Sequence, residues 1–498
     1  MNVNPITRLD YPDPDVIRVE DTYYMVSTTM HFMPGCEILQ SFDLVHWEHA
    51  TYVYETLDHT DAQQLKSGQN IYGQGMWAAS LRYHEGRFYI CFVANDTRKT
   101  YLYTSEKIDG PWKKQLIEGF YHDGSLLFDE DGRNYIVYGN DEIWITELNE
   151  DLTAPKKDGL HRLLVSDHKN PELGYEGSHI QKINGYYYIF LIHSLRDRWM
   201  RTEACFYSDS LEGEFTGGDV LCDDRGYCGQ GVAQGGIVDT PDGKWYAMLF
   251  QDSGAVGRLP ILLPVTWKDH FPIFGQNGHV PEEIEVHSTR PGYIYQPLVG
   301  SDDFCNGLLP RWQFNHDPDP QYYHLDALQG TYTITTREVC TELTQAVNTL
   351  TQRMSYPSCA AEVTVDASAL KEGDVAGLCA FQGCYAAVGI TKHHGKYEVL
   401  MLDKKEDGIL DMTEGTVVES HQMDFRLEAD FCNMKDEARC YYRVNKGDWL
   451  PIGTVHKLYF KLDHFTGCRF GLFCYAAEET GGSACFRDFK YYDVDEIS

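Results

Sequence analysis

The fold is decided by a stretch at residues 124–138, which reads GSLLFDEDGRNYIVY. Its two apolar arms flank the run DEDGRN, whose Asp, Gly and Asn residues favour tight turns. This arrangement predicts a β-hairpin. The same pattern recurs as PDVIRVEDTYYMVST, ASLRYHEGRFYICFV, GSHIQKINGYYYIFL and GGIVDTPDGKWYAML, at residues 14–28, 79–93, 177–191 and 235–249.

The five hairpins align on one aromatic residue in the second arm of each. This alignment places five tyrosines in one frame, namely Tyr24, Tyr89, Tyr135, Tyr188 and Tyr246. A hairpin followed by outer strands, repeated roughly every 45 to 65 residues, is typical of a propeller blade. The sequence therefore predicts an all-β fold that begins with a five-bladed β-propeller. A stacked solenoid fits less well, because the spacing is irregular and the series stops near residue 275.

A second domain is predicted after the propeller. The 498 residues are too many for one ordinary core. Short alternating stretches such as CAAEVTVDA, KYEVLMLD and CRFGLFCYA dominate the later part of the chain. Separated by polar turns, they predict a β-sandwich of jelly-roll type. We expect a propeller domain over residues 1–295 and an accessory sandwich over residues 296–498.

Acidic residues occupy one frame of the predicted blades. Counting back eleven or twelve residues from each framing tyrosine reaches Asp13, Asp123 and Glu176 in the first, third and fourth units. We expect the hairpin turn to absorb the one-residue variation. The same count reaches Trp77 or Ala78 in the second unit, and Gln234 or Gly235 in the fifth. Since the first strand of each blade lines the channel, the three carboxylates should meet at one mouth. Single Asp residues often only bond turn amides, but three in one frame favour a functional site.

The charge and composition exclude several kinds of partner. The formal net charge is -33, so neither nucleic acid nor an anionic membrane is an expected partner. No apolar run is long enough to span a membrane, and the N-terminus does not resemble a signal peptide. The fifteen cysteines show no CxxC pair, which favours reduced thiols and a cytoplasmic location. A homo-oligomer is compatible with the sequence.

Three carboxylates beside an aromatic wall suit the cleavage of glycosidic bonds. Repulsion among them must raise the pKa of at least one carboxyl group. One carboxylic acid can then protonate the leaving oxygen while another carboxylate activates water or attacks the sugar. An aromatic ring supplies a face for an apolar sugar surface. The expected partner is a small oligosaccharide.

Several segments resemble glycoside hydrolase family 43. They are YPDPDVIRVEDTYYM, GMWAASLRYHEGRFYI, FYHDGSLLFDEDGRNYIVYG, YEGSHIQKINGYYYI and GAVGRLPILLPVTW. The resemblance extends to the C-terminal β-sandwich that many β-xylosidases of this family carry. It implies a five-bladed propeller that acts by inversion. It also implies that Asp13 is the general base, Glu176 the general acid, and Asp123 the carboxylate that orients the acid and tunes its pKa.

The resemblance also suggests residues that contact the sugar. Trp77 would form a wall of the pocket, and Phe32 and Arg258 match positions that contact the terminal sugar. Gln234 stands at the framed position of the fifth unit. Phe465 in HFTGCRFG would be the contribution of the sandwich. For Trp77, Phe32 and Arg258, ordinary packing or a surface ion pair is the alternative.

No cofactor is expected to be required. Many members of the family carry a histidine near the start of the fifth blade, close to an axial calcium ion or water cluster, where this chain has Ala233 and Gln234. One amide oxygen is weak evidence for Ca²⁺, which usually takes six to eight ligands. We therefore assign no metal from the sequence.

Three functions remain open at this point. The first is an exo-acting glycosidase that removes terminal β-xylose from xylo-oligosaccharides. The second is removal of terminal α-L-arabinofuranose, alone or in a bifunctional enzyme, because the two sugars present similar shapes. The third is a noncatalytic carbohydrate-binding propeller, which the loss of an acid would favour. All three acids are present.

Overall fold

The computed structural model describes residues 3–462 and 464–493. In this part of the chain, five four-stranded sheets come first and two larger sheets follow. No described helix has the length and apolar character needed to cross a membrane. The helical elements are single 3₁₀ turns at Lys66–Gly68, Gly254–Val256, Leu343–Gln345 and Cys432–Met434.

Each of the five small sheets is an antiparallel propeller blade whose strands follow one another in chain order. The first two blades contain β1 Asp15–Val19, β2 Thr22–Val26, β4 Gly35–Ser41 and β5 Glu48–Tyr54, then β6 Ser80–His84, β7 Arg87–Ala94, β8 Lys99–Ser105 and β9 Lys113–Ile117. The third blade contains β10 Ser125–Phe128, β11 Asn134–Asn140, β12 Glu142–Leu148 and β13 His161–Ser166. The last two contain β14 Glu176–Ile183, β15 Tyr186–Ser194, β16 Arg201–Ser208 and β17 Thr216–Leu221, then β18 Val232–Asp239, β19 Trp245–Asp252, β20 Arg258–Lys268 and β21 Phe271–Phe274.

The innermost strands form a closed ring. Strand β1 contacts β6 and β18, and β10 and β14 complete the circuit between them. The side chains of Arg18 and Asp239 join the first blade to the fifth, with Nε of Arg18 donating to Oδ1 at 3.2 Å. The predicted five-bladed propeller is confirmed.

The strand register explains the one-residue variation in the sequence frame. The framing tyrosine lies in the second strand of every blade, and Tyr24 pairs with Ile17 while Tyr135 pairs with Leu127. The third and fifth hairpins have the longer turn that we predicted. In the fourth blade the extra residue comes instead from a β-bulge between Glu176 and His179. A bulge bends the strand and changes the direction of a side chain. This difference from the predicted longer turn therefore affects the orientation of Glu176.

The guanidinium group of Arg82 spans the channel inside this ring. Its Nη1 donates to Oδ2 of Asp15 at 2.8 Å and to Leu81 O at 2.6 Å. Its Nη2 donates to Oγ of Ser125 at 2.7 Å and to Ile180 O at 3.1 Å, and its Nε donates to Leu126 O at 2.9 Å. All five N–H groups are therefore used, and they join the inner strands of four blades.

The second part of the chain forms a sandwich of a nine-stranded and a seven-stranded sheet. The nine-stranded sheet contains β3 Phe32–Met33, β22 Gln313–Asn315, β25 Leu350–Arg353, β27 Val375–Phe381, β28 Tyr385–His393, β29 Lys396–Lys404, β30 Leu410–Met412, β31 Thr416–Val418 and β35 Arg469–Tyr475. The seven-stranded sheet contains β23 Tyr323–Asp326, β24 Thr331–Thr335, β26 Ser358–Asp366, β32 Gln422–Asp430, β33 Glu437–Val444, β34 Leu450–Lys457 and β36 Ser483–Asp493. The predicted sandwich is confirmed.

The two parts share both a sheet and a core. Strand β3 leaves the first blade and pairs with β22 at the edge of the nine-stranded sheet. Ala255, Val256 and Leu259 of the propeller belong to the buried cluster that forms the sandwich core. The predicted division after residue 295 falls in the segment between β21 and β22. The sandwich is therefore fixed against one face of the propeller.

We expect Arg82→Met to destabilise the propeller strongly. The substitution keeps the side-chain bulk but removes the arginine from the buried carboxylate of Asp15, which then keeps only His179, at 3.1 Å, as an ionisable partner among the described residues. Breaking a buried ion pair costs about 3–5 kcal/mol, so the thermal unfolding midpoint should fall by roughly 5 °C or more. Arg87→Met is the control, because its guanidinium is 44% exposed and lies 3.4 Å from Glu106. Equal midpoints for the two variants, measured by circular dichroism, would show that Arg82 does not hold the ring.

Candidate active site

A small pocket opens at one mouth of the channel. Its cavity volume is about 100 Å³. All five blades contribute to its lining, and the sandwich completes it. The lining residues are Asp13, Trp77, Ala78, His122, Asp123, Leu173, Glu176, Trp199, Arg201, Gln234, Arg258, Leu462 and Phe465. The structure thus brings together the three carboxylates that the sequence frame aligned, and with them four of the five predicted sugar-contacting residues.

The backbone of the framed residues is strained at this mouth. Asp13, Asp123 and Gln234 have φ angles of 53°, 48° and 61°. A residue other than glycine in this left-handed region costs about 1–3 kcal/mol, and such residues cluster at functional sites. Glu176 is instead followed by Gly177, with φ of 65°. A Cβ atom on Gly177 would lie 2.7 Å from the side chain of Gln234, so only glycine fits there.

Two neighbouring side chains hold Asp13 in place at this mouth of the channel. Its Oδ2 accepts a hydrogen bond from Oγ1 of Thr28 at 2.6 Å, and its Oδ1 accepts one from Nη1 of Arg258 at 2.7 Å. The carboxylate is almost fully buried. A carboxylate has about four acceptor positions, so Asp13 retains capacity to accept a further hydrogen bond from water.

Asp123 and Glu176 are joined through the backbone and through shared neighbours. Oδ2 of Asp123 accepts a hydrogen bond from the amide of Gly177 at 2.9 Å, directly beside Glu176. Oε2 of Glu176 accepts one from Nδ2 of Asn140 at 2.7 Å. The Nε2 atom of His122 lies 3.5 Å from both Asp123 Oδ2 and Glu176 Oε2. Three residues of the third blade therefore fix the acid of the fourth.

The pKa values of these groups diverge, as unequal environments require. Burial raises the pKa of Asp123 to about 6, helped by the charges of Glu176 and Asp13 and opposed by His122. Burial also acts to raise the pKa of Glu176, but His122, Arg201 and Arg258 together place it below its ordinary value. Burial acts to lower the pKa of His122, but Asp123, Glu176 and Asp13 raise it to about 9. The raised carboxyl pKa that the sequence predicted thus belongs to Asp123.

Two arginines that share a carboxylate support the pocket. Oδ1 of Asp252 lies 3.2 Å from Nε of Arg258, and its Oδ2 lies 3.0 Å from Nε of Arg201. Sequence reasoning found Arg258 and missed Arg201. The signal was available, because each of these residues is the first of the third strand of its blade. His122 was also missed, although it directly precedes Asp123.

The sandwich supplies Phe465 as one wall. The guanidinium carbon of Arg258 lies 4.0 Å from the centre of this ring, and Trp77 meets the ring edge-to-face at 5.3 Å. Asp10 fixes the wall to the propeller, because its Oδ1 accepts a hydrogen bond from the amide of Arg258 at 2.7 Å and its Oδ2 accepts one from the amide of Gly467 at 2.8 Å. A Cβ atom on Gly467 would lie 2.0 Å from the carbonyl oxygen of Val256, which requires glycine at this close approach.

Phe32 lies outside the residues that line the pocket. It belongs to strand β3, is 2% exposed, and packs against the guanidinium of Arg469 at 3.4 Å. Gln234 does line the pocket, and its backbone N–H donates to Oε2 of Glu203 at 2.7 Å. Contact of Phe32 with a sugar stays a prediction, as do the sugar contacts of the other four residues.

A donor set that could hold a metal ion is present at the same place. The ligand atoms of His122, Asp123 and Glu176 lie within 4.8 Å of one another. Two of these oxygens already accept hydrogen bonds from Asn140 and Gly177. We assign no metal to this group.

The opposite mouth of the channel is chemically different. It holds a wider cavity of about 420 Å³ that is lined by the inner strands of all five blades. Its charged side chains are paired, Arg18 with Asp239 and Lys182 with Asp129. The clustered carboxylates are therefore confined to the mouth that the sandwich covers.

Comparison with known families agrees with this geometry. The model of glycosyl hydrolases family 43 matches residues 3–272, and that of the beta xylosidase C-terminal concanavalin A-like domain matches residues 301–492. The chain belongs to glycosyl hydrolases family 43. The recognition made from the sequence is confirmed.

Relatives within family 43 span both domains. A beta-xylosidase of Formosa agariphila is 27% identical over 99% of this chain and 89% of its own length. A solved structure described as a bifunctional GH43-CE protein of Bacteroides eggerthii is 42% identical, with a TM-score of 0.92 over 99% of this chain. This chain spans 64% of the length of that protein. A family 43 enzyme engineered to display endo-xylanase and exo-arabinofuranosidase activity is 27% identical, with a TM-score of 0.86 over 99% of both chains.

We expect Phe465→Ala to raise KM for short glycosides while leaving the fold intact. Loss of an aromatic contact with the sugar costs about 0.5–1.5 kcal/mol, which corresponds to roughly a 2- to 13-fold change. Phe42→Ala is a matched control, because Phe42 also packs beneath an arginine, Arg290, at 4.1 Å. Steady-state kinetics of both variants test the expectation. An unchanged KM for Phe465→Ala would show that this ring does not contact the sugar.

Proposed function

We propose that this family 43 member is an exo-acting, inverting glycoside hydrolase that releases terminal β-D-xylose from xylo-oligosaccharides. The observation that carries the proposal is the meeting of Asp13, Asp123 and Glu176 in one small pocket. Phe465 of the second domain walls this pocket. A pocket with such a wall accepts the end of a sugar chain more readily than its middle. The names of the xylosidase relatives agree with this substrate.

The proposed reaction uses carboxylates from two separated blades. Glu176 protonates the leaving glycosidic oxygen, and Asp13 takes a proton from the attacking water. The side chain of Glu176 is 20% exposed, so it can reach a bound sugar. Asp13 stands before the first blade and Glu176 opens the fourth. Inversion requires the two carboxyl groups to be about 6.5–9.5 Å apart, with water between them.

Asp123 acts through Glu176 in this proposal. Its hydrogen bond from the amide of Gly177 fixes the backbone beside the acid. Its negative charge disfavours ionisation of neighbouring carboxyl groups. These two effects support the orienting and tuning role that the family resemblance implies.

The remaining lining residues would hold the sugar. Trp77 and Phe465 offer apolar faces whose ring planes are inclined at 72° to each other. Arg258 keeps guanidinium N–H groups near Asp13 that can donate to sugar hydroxyls. A neutral oligosaccharide is also compatible with a protein of net charge -33.

Terminal α-L-arabinofuranose is the alternative substrate, alone or beside xylose. The solved family 43 enzyme with exo-arabinofuranosidase activity, which shares 27% identity over both chains, favours this second candidate. A noncatalytic sugar-binding propeller is disfavoured, because the three acids lie together at one mouth. Fold and family alone do not determine the linkage.

We also propose a reducing compartment, the cytoplasm, as the place of action. The structure describes all fifteen cysteines, and each is a free thiol. Short oligosaccharides that enter the cell would then be the substrates, rather than polymeric xylan.

The product pattern tests the proposed function. We expect xylobiose and xylotriose to release single xylose units from the non-reducing end, because the pocket takes one terminal sugar. Proton NMR of the earliest product should show α-xylose, the inverted anomer. Arabino-oligosaccharides and aryl pentosides assayed in parallel decide between the two sugars. Rapid release of internal fragments from long xylan, or early β-xylose, would contradict the proposal.

The leaving group separates the roles of the two acids. Glu176→Ala should lose about 10²- to 10⁴-fold in kcat on xylobiose, whose departing oxygen is basic. The loss should be much smaller on an aryl xyloside with an acidic leaving group, which needs little protonation. Asp13→Ala should impair both substrates alike, because the water is unactivated in either case. Asp242→Ala, an exposed carboxylate in a hairpin turn, is the control. Equal losses for Glu176→Ala on both substrates would remove it from the acid role.

A further inference from the structure

His122 occupies an unusual position between the acid and its neighbour. Its Nε2 atom is inaccessible to solvent and makes no hydrogen bond among the described residues. Yet this atom lies 3.5 Å from Oε2 of Glu176 and 3.5 Å from Oδ2 of Asp123. A nitrogen this close to two carboxylates is favoured as a donor, which requires that it carry a hydrogen.

The two oxygens of Glu176 have different surroundings. Oε2 accepts a hydrogen bond from the side-chain amide of Asn140 and faces His122. Among the described residues, no hydrogen bond is made to Oε1. Oε2 is therefore the oxygen that faces the imidazole, while Oε1 has no such partner.

Several further charges face this pair. On the acidic side, Asp13 and Asp123 raise the pKa of His122 together with Glu176. On the basic side, Arg201 and Arg258 act with His122 to lower the pKa of Glu176. Asp252 binds both arginines and moderates their effect. These charges favour a proton on the imidazole ring over one on the carboxylate, since the pKa of His122 is raised to about 9 while that of Glu176 is lowered.

This placement of the proton does not match a general acid that holds its own proton in the resting protein. A general acid must carry its proton when the glycosidic bond breaks. The surroundings of Glu176 instead favour its carboxylate form in the resting protein. The proton needed for the leaving group must therefore come from a neighbouring site.

We propose that His122 is the proton store of Glu176. The proposal rests on the function proposed above, and it places His122 as a residue that acts through Glu176. The imidazolium N–H of His122 first passes its proton to Oε2 of the Glu176 carboxylate, which leaves a neutral ring and a neutral carboxylic acid. As the glycosidic C–O bond breaks, the electron pair stays on the leaving oxygen, which takes that proton from the Glu176 carboxyl group, and Glu176 returns to its carboxylate form. The attacking water forms the new C–O bond and gives its proton to Asp13. Solvent then removes that proton and returns one to His122, so the net reaction consumes one water.

The pH dependence of His122→Gln tests the store. In the unaltered protein the alkaline limb of kcat/KM reports loss of the shared proton from the pair. Without the imidazole, Glu176 alone must hold that proton, so the limb should move toward acid by about one pH unit or more. At the acidic plateau the variant should retain most of its activity, because Glu176 takes its proton directly from solvent. Xylobiose is the substrate, since its leaving oxygen needs protonation.

The direction of the shift discriminates between two roles. A fixed positive charge at His122 would only lower the pKa of Glu176, so its removal would move the limb toward alkaline pH. An alkaline shift, an unmoved limb, or complete inactivity at every pH would overturn the proton store. His324→Gln, an exposed histidine in strand β23, should leave the profile unchanged. Hydrolysis by the unaltered protein with an unmoved limb in the variant rejects this inference alone, whereas failure to cleave any pentoside rejects the proposed function.

A second measurement does not depend on turnover. In protein labelled with ¹⁵N-histidine, the signals that His122→Gln removes should be those of an imidazolium ring at pH 7. Glu176→Gln should lower the titration midpoint of the same ring, because it removes a negative charge beside it. A neutral His122 ring at pH 7 would overturn the store whatever the substrate proves to be.

Discussion

The closed ring of inner strands depends on one cation inside the channel. Arg82 uses all five guanidinium N–H groups to join the inner strands of four blades. Asp15, whose pKa is lowered by Arg82 and His179 against the effect of burial, balances its charge. Because five similar sheets could close with different tilts, a fixed centre is what makes their inner ends meet in one geometry. The carboxylates at the mouth inherit their positions from this centre.

The mouth itself is built from backbone irregularities that depend on that fixed ring. A left-handed residue before the first and third inner strands, and a bulge in the fourth and fifth, replace regular pairing where the blades converge. Each irregularity is costly in isolation and persists only when its surroundings determine it. The ring supplies those surroundings. As a result, the carboxylates face one another. The same convergence places His122 and Asn140 of the third blade against Glu176 of the fourth.

Local patterns in the sequence were sufficient to predict the blades and the three acids. Hairpin turns and alternating arms are encoded within fifteen residues, so the repeat and its frame are visible without a structure. Arg201 and His122 were missed although local signals were present, whereas the role of Asp10 was not predicted because its partners lie far apart in the chain. Asp10, for example, bonds the amides of Arg258 and Gly467 at once. Neither the φ angle of Asp13 nor the pairing of strand β3 with β22 could be predicted from single-residue preferences.

The pairing of strand β3 with β22 also protects the edge of the nine-stranded sheet. An unpaired outer strand presents a row of free N–H and C=O groups that can pair with another molecule. By lying along β22, a two-residue strand from the first blade occupies that row in the larger sheet of the sandwich. The sandwich made without the propeller would therefore expose the edge of β22 and be prone to association through it. In this protein the propeller covers that edge and so protects the sandwich from aggregation.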